Sequence, residues 1–334
     1  MTDKTHEQLK TECAEAAQLL ESARKEIHKK IFGQEEVITN VLTCMVAGGH
    51  ALLMGAPGLA KTLLVETIGT VMGMSTNRVQ FTPDLMPSDI TGSEVMEQDE
   101  TGKRYFRFIE GPAFTQLLLA DEINRASPRT QSATLQAMQE YKVTSGGVTR
   151  DLPQPFHILA TQNPLEQEGT YPLPEAQRDR FLMQIDVDYP DRASERMIAV
   201  SAKSYKPRSG EFNKAAGSLS TVMNSEQLLK IQQLVDNMPV SDEVVDFVVD
   251  TVRGCRPSDP TVNPAAKEYV TWPPGPRAEQ ALIVTAKARA LMRGDYTPSK
   301  ADVLAVMEPV MKARMSLDEF KPKKALMDVI LPKP

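Results

Sequence analysis

Cysteine is scarce in this chain. Cys13, Cys44 and Cys255 are odd in number and far apart, so they suggest neither a disulfide framework nor a Cys-x-x-Cys metal site. Long apolar runs are missing as well: none approaches the ~20 residues of a membrane-spanning helix. Residues 1–30 are polar and charged, without a signal-peptide core. Together these absences predict a cytoplasmic protein with no membrane span. Positive charge is not in excess either. A formal net charge of −6 argues against nonspecific attraction to DNA or to an anionic membrane, although local basic patches remain compatible with it. A protein partner is the easier expectation. No internal repeat is visible. What the chain does contain is apolar material, since 334 residues at 41% hydrophobic and 25% charged suffice for a sizeable core and predict two domains.

The most informative stretch is Gly55-Ala56-Pro57-Gly58-Leu59-Ala60-Lys61-Thr62, which joins an apolar run, Ala51-Leu52-Leu53-Met54, to a helical pattern through Leu63, Leu64, Thr67 and Ile68. Strand, loop and helix come in the order that a phosphate cradle needs. Glycines let the backbone curl so that successive N–H groups and the helix N-terminus point at one anion; Lys61 reaches the terminal phosphates and Thr62 can ligate magnesium. The template G-x-x-x-x-G-K-[ST] is matched except at Ala60, where glycine is usual.

Around this loop the periodicity alternates between helix and strand. Leu9, Cys13, Ala16, Leu20, Ala23 and Ile27 recur every three or four positions within residues 5–31, as in an amphipathic helix that packs on its own domain. Gly33 breaks it, and a second helix runs through Val37, Ile38, Val41 and Leu42 to Gly48-Gly49. Residues 78–81 are a short strand candidate. Two hairpins are predicted, one turning at Asp99-Glu100-Thr101-Gly102 and one at Ser145-Gly146-Gly147; each is either a surface hairpin or a loop facing a substrate or a ring pore. Leu117-Leu118-Leu119-Ala120 and Phe156-His157-Ile158-Leu159-Ala160 read as buried strands of a parallel sheet. Residues 181–187 close that sheet. Beyond a polar linker the pattern is wholly helical, with Pro276-Arg277 opening one helix and Thr297-Pro298 expected to cap another. The domains are accordingly residues 1–30 (a helix on the core), 31–190 (an α/β core), 191–223 (linker), 224–320 (a helical lid) and 321–334 (a basic tail).

The acidic pair Asp121-Glu122 follows the first buried strand directly, at the end of a parallel sheet where ligands bind. Downstream of a phosphate loop, such a pair supplies what nucleoside triphosphate hydrolysis needs: Asp121 for the magnesium shell and Glu122 to polarise water. Asn163 ends the following strand, and if that strand is inserted beside the loop its amide sits near the γ-phosphate; otherwise Asn163-Pro164 is a turn. Arg180 is either a salt-bridge partner or a cation placed on a neighbouring subunit's phosphate. Arg277 starts a helix of the second domain, from which it can contact phosphate and report nucleotide state. A helix N-terminus disfavours a cation, so Arg277 needs an anionic partner.

At these residues the chain resembles the AAA+ ATPases, and most closely the MoxR family. The resemblance rests on Gly33-Gln34-Glu35, Gly48-Gly49-His50, the phosphate loop, Phe81-Thr82-Pro83-Asp84-Leu85, Pro87-Ser88-Asp89-Ile90-Thr91-Gly92, Gly111-Pro112, residues 118–126 and 160–164, Glu175-Ala176-Gln177, Asp179-Arg180-Phe181 and Gly275-Pro276-Arg277-Ala278. It implies an α/β P-loop core with a central parallel sheet followed by a small all-α lid. The family tolerates alanine at the position of Ala60. Asp121-Glu122 look like Walker B, Asn163 like sensor 1, Arg180 like the arginine finger and Arg277 like sensor 2; Ile31 and Gly33 join Gly55, Ala56, Pro57, Gly58, Leu59, Ala60, Lys61, Thr62 and Arg277 as implied nucleotide contacts. Arg178 adds a second cation beside Arg180, so two arginines compete for the finger role. The resemblance further implies ATP and magnesium, a hexameric homo-oligomer, and chaperone-like action on a client protein with a von Willebrand factor A domain partner. A nucleic-acid motor, using Lys103, Arg104 and Arg107 on one hairpin with Lys142 and Arg150 near the other, is the main alternative, although nucleic acid is not the expected partner. A magnesium-chelatase-like subunit is a nearer one.

Overall fold

In the computed structural model, which describes residues 6–164, 169–201, 219–322 and 324–331, the apolar positions of the first helix all face one way. Leu9, Cys13, Ala16, Leu20, Ala23 and Ile27 are buried along α1 (His6–His28). The core continues through α2 (Glu35–Val46), β1 (Ala51–Met54), α3 (Lys61–Val71), β2 (Thr76–Gln80), α4 (Pro87–Thr91), β3 (Gly92–Gln98), β4 (Arg104–Glu110), β5 (Leu117–Asp121), α5 (Pro128–Glu140), β6 (Lys142–Ser145), β7 (Val148–Asp151), β8 (His157–Gln162), α6 (Glu175–Arg178) and β9 (Met183–Asp186). Then follow α7 (Arg192–Ser201), α8 (Ser225–Asn237), α9 (Asp242–Gly254), α10 (Pro264–Tyr269), β10 (Val270–Trp272), α11 (Pro276–Met292), α12 (Lys300–Lys312), β11 (Ser316–Leu317) and α13 (Leu326–Ile330).

Five strands form one parallel sheet in the order β2-β5-β8-β1-β9. Its centre is built from the continuous apolar runs because alternate residues of a strand serve opposite faces. Leu117, Leu119 and Leu159 enter the core shared with α1, α2 and α3, whereas Leu118, Ala120, Ile158 and Ala160 pack with Phe81, Leu135 and Phe156 on the other face. Each buried Leu, Ile or Phe side chain among these contributes about 2 kcal/mol, which holds the strand ends in fixed positions for a site to be built on them.

Two antiparallel hairpins leave the core, β3–β4 and β6–β7. They touch: the Arg150 guanidinium lies 3.8 Å from the Phe108 ring centroid and 3.8 Å from the Glu94 carboxylate. The helical part differs from a wholly helical expectation, since β10 and β11 pair as a short antiparallel ribbon. Part of the expected linker is also helical, as α7; residues 202–218 of that linker lie outside the described residues. Within the expected tail, α13 buries Val329 and Ile330, while residues 323 and 332–334 lie outside the described residues. The cap expected at Thr297 belongs to Ser299, whose side chain accepts the Asp302 N–H while the Asp302 carboxylate accepts the Ser299 N–H. A reciprocal box satisfies two orphan donors where Thr297 would satisfy one. α1 lies against α3 of the core and against α8 and α11, so it ties the two parts together.

Gly49 shows how tightly β1 and β9 are joined. A Cβ there would overlap the Leu182 side chain, and the Leu182 N–H donates to the His50 carbonyl at 2.8 Å. Gly49→Ala is therefore expected to destabilise the chain by about 1–3 kcal/mol, read as a lower urea midpoint at unchanged m.

Beneath this turn are two buried histidines. His50 Nδ1 accepts the Ile158 N–H at 2.9 Å, which leaves Nε2 to donate to the Met138 carbonyl at 3.0 Å. His157 Nδ1 faces the Gly49 carbonyl at 2.7 Å, and its Nε2 faces the Gln232 amide at 3.1 Å. Both rings are thus built into the core as neutral tautomers. Burial pulls the pKa of His50 down to about 3, with the neighbouring His157 adding to it, and burial likewise pulls His157 down to about 4. Below the unfolded value of about 6.5 the unfolded chain binds protons that the folded chain refuses. Stability is then full above about pH 6.5 and falls as pH drops towards 4, with a limiting slope of about 1.4 kcal/mol per pH unit for each ring. Denaturant midpoints between pH 7.5 and 5.5 should fall accordingly; a level profile would contradict the assignment.

Candidate nucleotide site

The C-terminal ends of β1, β5 and β8 meet at a cleft of about 340 Å³. Its loop leaves β1 at Gly55 and turns through Gly58, at φ +85° with open space where a Cβ would stand, and Ala60, at φ +57°. The left-handed turn at Ala60 aims the first amides of α3, an 11-residue helix, into the cleft. Glycine would adopt this conformation without strain, and alanine adopts it here. The Lys61 ammonium donates to the Gly55 carbonyl at 2.6 Å. Lys61, Thr62, Asp121, Glu122 and Asn163, proposed separately from the sequence, all line this one space.

The acidic pair is held by side chains that motif reading missed. Thr161 Oγ1 donates to Asp121 Oδ1 at 2.6 Å and accepts the Glu122 N–H at 2.9 Å, so one hydroxyl fixes both residues. Arg78 reaches Asp121 Oδ2 at 2.7 Å. Gln80 donates to Glu122 Oε2 at 2.7 Å, and Arg125 forms an ion pair with the same oxygen at 2.8 Å. Glu122 itself is left-handed, at φ +57°. Arg78 and Gln80 alternate on β2, which pairs with β5, a signal available only once the strand order is known. Glu66, further along α3, also lines the cleft; its burial raises its carboxyl pKa, with Arg78 opposing.

Insertion of β8 between β5 and β1 answers the question posed by Asn163. Gln162 pairs with Met54 and its carbonyl accepts the Gly55 N–H at 3.2 Å, so Asn163 stands beside the phosphate loop, itself buried. On the other side of the loop a 210 Å³ recess is lined by Ile31, Phe32, Leu63, Pro190 and Ile198, and shares Gly58, Leu59 and Ala60 with it. Ile31 therefore lies beside the loop. Gly33 does not line this recess; a Cβ there would crowd Ser194 and Pro190, so it shapes the recess from behind.

Arg178, Arg180 and Arg277 lie elsewhere. Met183, the first residue of β9, pairs with Ala51, the first residue of β1. Arg180 therefore precedes the N-terminal end of β1, whereas the loop follows its C-terminal end, 4 residues and about 13 Å of strand away. Arg277, expected to reach phosphate from the lid, is at the same far edge: its guanidinium meets Asp179 Oδ2 at 3.1 Å, which supplies the anion its helix N-terminus requires. The two arginines of this segment differ in their partners. Arg178 donates to Ser316 Oγ at 2.6 Å and lies 5.9 Å from the Trp272 ring centroid, and its burial lowers its pKa. Among the described residues the Arg180 side chain has no such hydrogen bond or ion pair, and it is half-exposed.

Residues 50–183 match the ATPase family associated with various cellular activities, and residues 264–332 match the AAA lid domain. The chain is 39% identical over 323 residues to Chaperone MoxR1 of Mycobacterium tuberculosis, covering 94% of this chain and 82% of that protein. It is also 27% identical over 305 residues to Protein MoxR of Methylorubrum extorquens, covering 88% and 86%. A crystal structure from Cytophaga hutchinsonii, an ATPase by designation, superposes with a TM-score of 0.80 at 35% identity, covering 92% of this chain and 90% of that one. With relatives matched along nearly its whole length and a loop-lined cleft at the C-terminal ends of its strands, this chain belongs to the MoxR family of AAA+ ATPases.

Proposed function

We propose that this chain hydrolyses ATP at the subunit interfaces of a homo-oligomeric ring, a hexamer, and uses the cycle for chaperone-like remodelling, maturation or activation of a client protein, with a von Willebrand factor A domain partner. One observation carries the interface part of this reading: Arg180 and Arg277 stand at the sheet edge opposite the phosphate loop. That position is remote from their own subunit's loop, and in this reading both serve a neighbour's nucleotide.

In this reading the loop amides and Lys61 bind the phosphates, and Lys61 exchanges its Gly55 carbonyl for them. Ile31 and the apolar recess take the base. The residues present fit magnesium, since the Thr62 hydroxyl and the Asp121 carboxylate line one cleft with the loop; the ion would neutralise charge developing on the phosphate oxygens. Glu122 takes the proton of the attacking water after leaving Gln80 and Arg125, and Asn163 orients that water. Arg180 of the adjacent subunit balances the charge of the transferred group. Lid displacement then moves the hairpins, whose Arg150–Phe108 contact makes them shift together.

A nucleic-acid motor is less well supported. Arg107 is paired with Glu97, Lys142 with Asp151 and Arg150 with Glu94, so much of the hairpins' positive charge is already met. Steady-state ATPase activity measured across protein concentration, with mass photometry on the same samples, tests the proposal. Activity per subunit should rise as six-subunit particles appear. Full turnover by a monomer would remove both the ring and the trans-acting arginines.

A further inference from the structure

Three consecutive residues at the far sheet edge have different fates. Arg178 is held by the β10–β11 ribbon through Ser316 and Trp272. Asp179 is held by the helices of the lid: Oδ2 meets Arg277 at 3.1 Å at the start of α11, and Oδ1 meets Arg314 Nε at 3.4 Å just after α12. Arg180, next in line, has no such tie among the described residues. Arg314 is 4% exposed, and it donates to the Leu182 carbonyl at 2.9 Å and to the Val310 carbonyl at 3.1 Å. Burial lowers its pKa to about 10, and the Asp179 carboxylate opposes that shift. A buried cation of this kind keeps its anion close, because leaving it unpaired is expensive. Asp179 thus faces a fixed, buried cation on one oxygen and engages on the other an exposed arginine at the mouth of the lid.

We propose that Asp179 is a positioning residue that couples the lid of one subunit to the presentation of its own Arg180 to the neighbouring nucleotide. The proposal rests on the interface reading given above and adds a specific joint to it. When the lid moves, Arg277 and Arg314 carry the Asp179 carboxylate with them, and Arg180, attached through a single peptide unit, moves as well. A displacement of about 1 Å at a group that balances transition-state charge is enough to change turnover roughly a hundredfold. Asp179 also keeps Arg277 beside Arg180, so the two cations arrive at the interface together. The joint makes a subunit's lid state legible to its neighbour without any change in that subunit's own phosphate loop, about 13 Å of strand away.

The test separates donor from acceptor. Arg180→Ala subunits hold nucleotide but offer no finger; Lys61→Ala subunits hold none but offer Arg180. Mixed, they should recover activity. Replacing the donor by Lys61→Ala/Asp179→Asn should reduce that recovery tenfold to a hundredfold in kcat, with the KM of the Arg180→Ala partner unchanged and mixed particles of equal mass by photometry. Lys61→Ala/Asp179→Glu should recover part of it, because the carboxylate still reaches both arginines. If the Asp179→Asn donor complements as well as its parent, Asp179 has no positioning role. If Lys61→Ala itself fails to complement within mixed particles, the interface reading fails instead. Should the Asn variant not assemble, the Glu variant decides: a kcat below the parental donor's with unaltered KM supports the coupling, and parity overturns it.

Discussion

Glu122→Gln should retain ATP and lose turnover by roughly 10²–10⁴-fold. The substitution keeps the side-chain volume and leaves an oxygen that can still accept from Gln80, which lies 2.7 Å from Glu122 Oε2. It also leaves intact the Thr161 hydroxyl that fixes the backbone of Glu122. What disappears is the proton acceptor. Nucleotide binding depends on Lys61 and the amides at the start of α3, which the change does not touch, so the variant should trap the assembled ring with ATP bound. Lys61→Ala is the opposite case, with binding lost before chemistry begins. Phosphate release and the nucleotide content of gel-filtered protein read the two steps separately. Normal hydrolysis by Glu122→Gln would sink the base assignment.

Arg180→Ala should lower turnover further, by roughly 10³–10⁵-fold, the range expected for a cation acting on the transferring group. The distinguishing part is its rescue. Mixing Arg180→Ala with Lys61→Ala subunits places an intact finger against an intact nucleotide at some interfaces, and activity should return there. Arg277→Ala should be rescued by the same partner, because Arg277 stands with Asp179 at the far edge of the sheet. An arginine serving its own subunit's nucleotide could not be rescued in this way, since the Lys61→Ala partner holds none. Absence of rescue in particles shown to be mixed would exclude action of Arg277 on a neighbour's nucleotide.

Much of the cleft could be read in the sequence because its signals are local. The loop through Lys61 and Thr62 is one continuous stretch, Asp121-Glu122 follows a run of apolar residues, and Asn163 ends the next such run. Even the need of Arg277 for an anion followed from its place at a helix N-terminus. Thr161, Gln80, Arg78 and Arg125 were not legible, since nothing in their neighbours along the chain distinguishes them from ordinary strand and turn residues. Their roles come from β2, β5 and β8 lying side by side. Thr297 shows the same limit on a small scale: the cap expected there fell to Ser299, which has Asp302 three residues on.

By itself, then, the sequence determined that this chain carries a phosphate loop, an acidic pair and a polar strand end, in an α/β core followed by helices. Periodicity and motif spacing are properties of residues close in the chain, and hydrophobic burial converts them into strands and helices wherever they occur. Only the tertiary structure decided where the arginines stand. The pairing of β9 with β1 starts at Ala51 rather than at the loop, and the lid meets the core through Asp179. Such contacts join residues 98 to 135 positions apart, and their geometry is set by how whole elements pack.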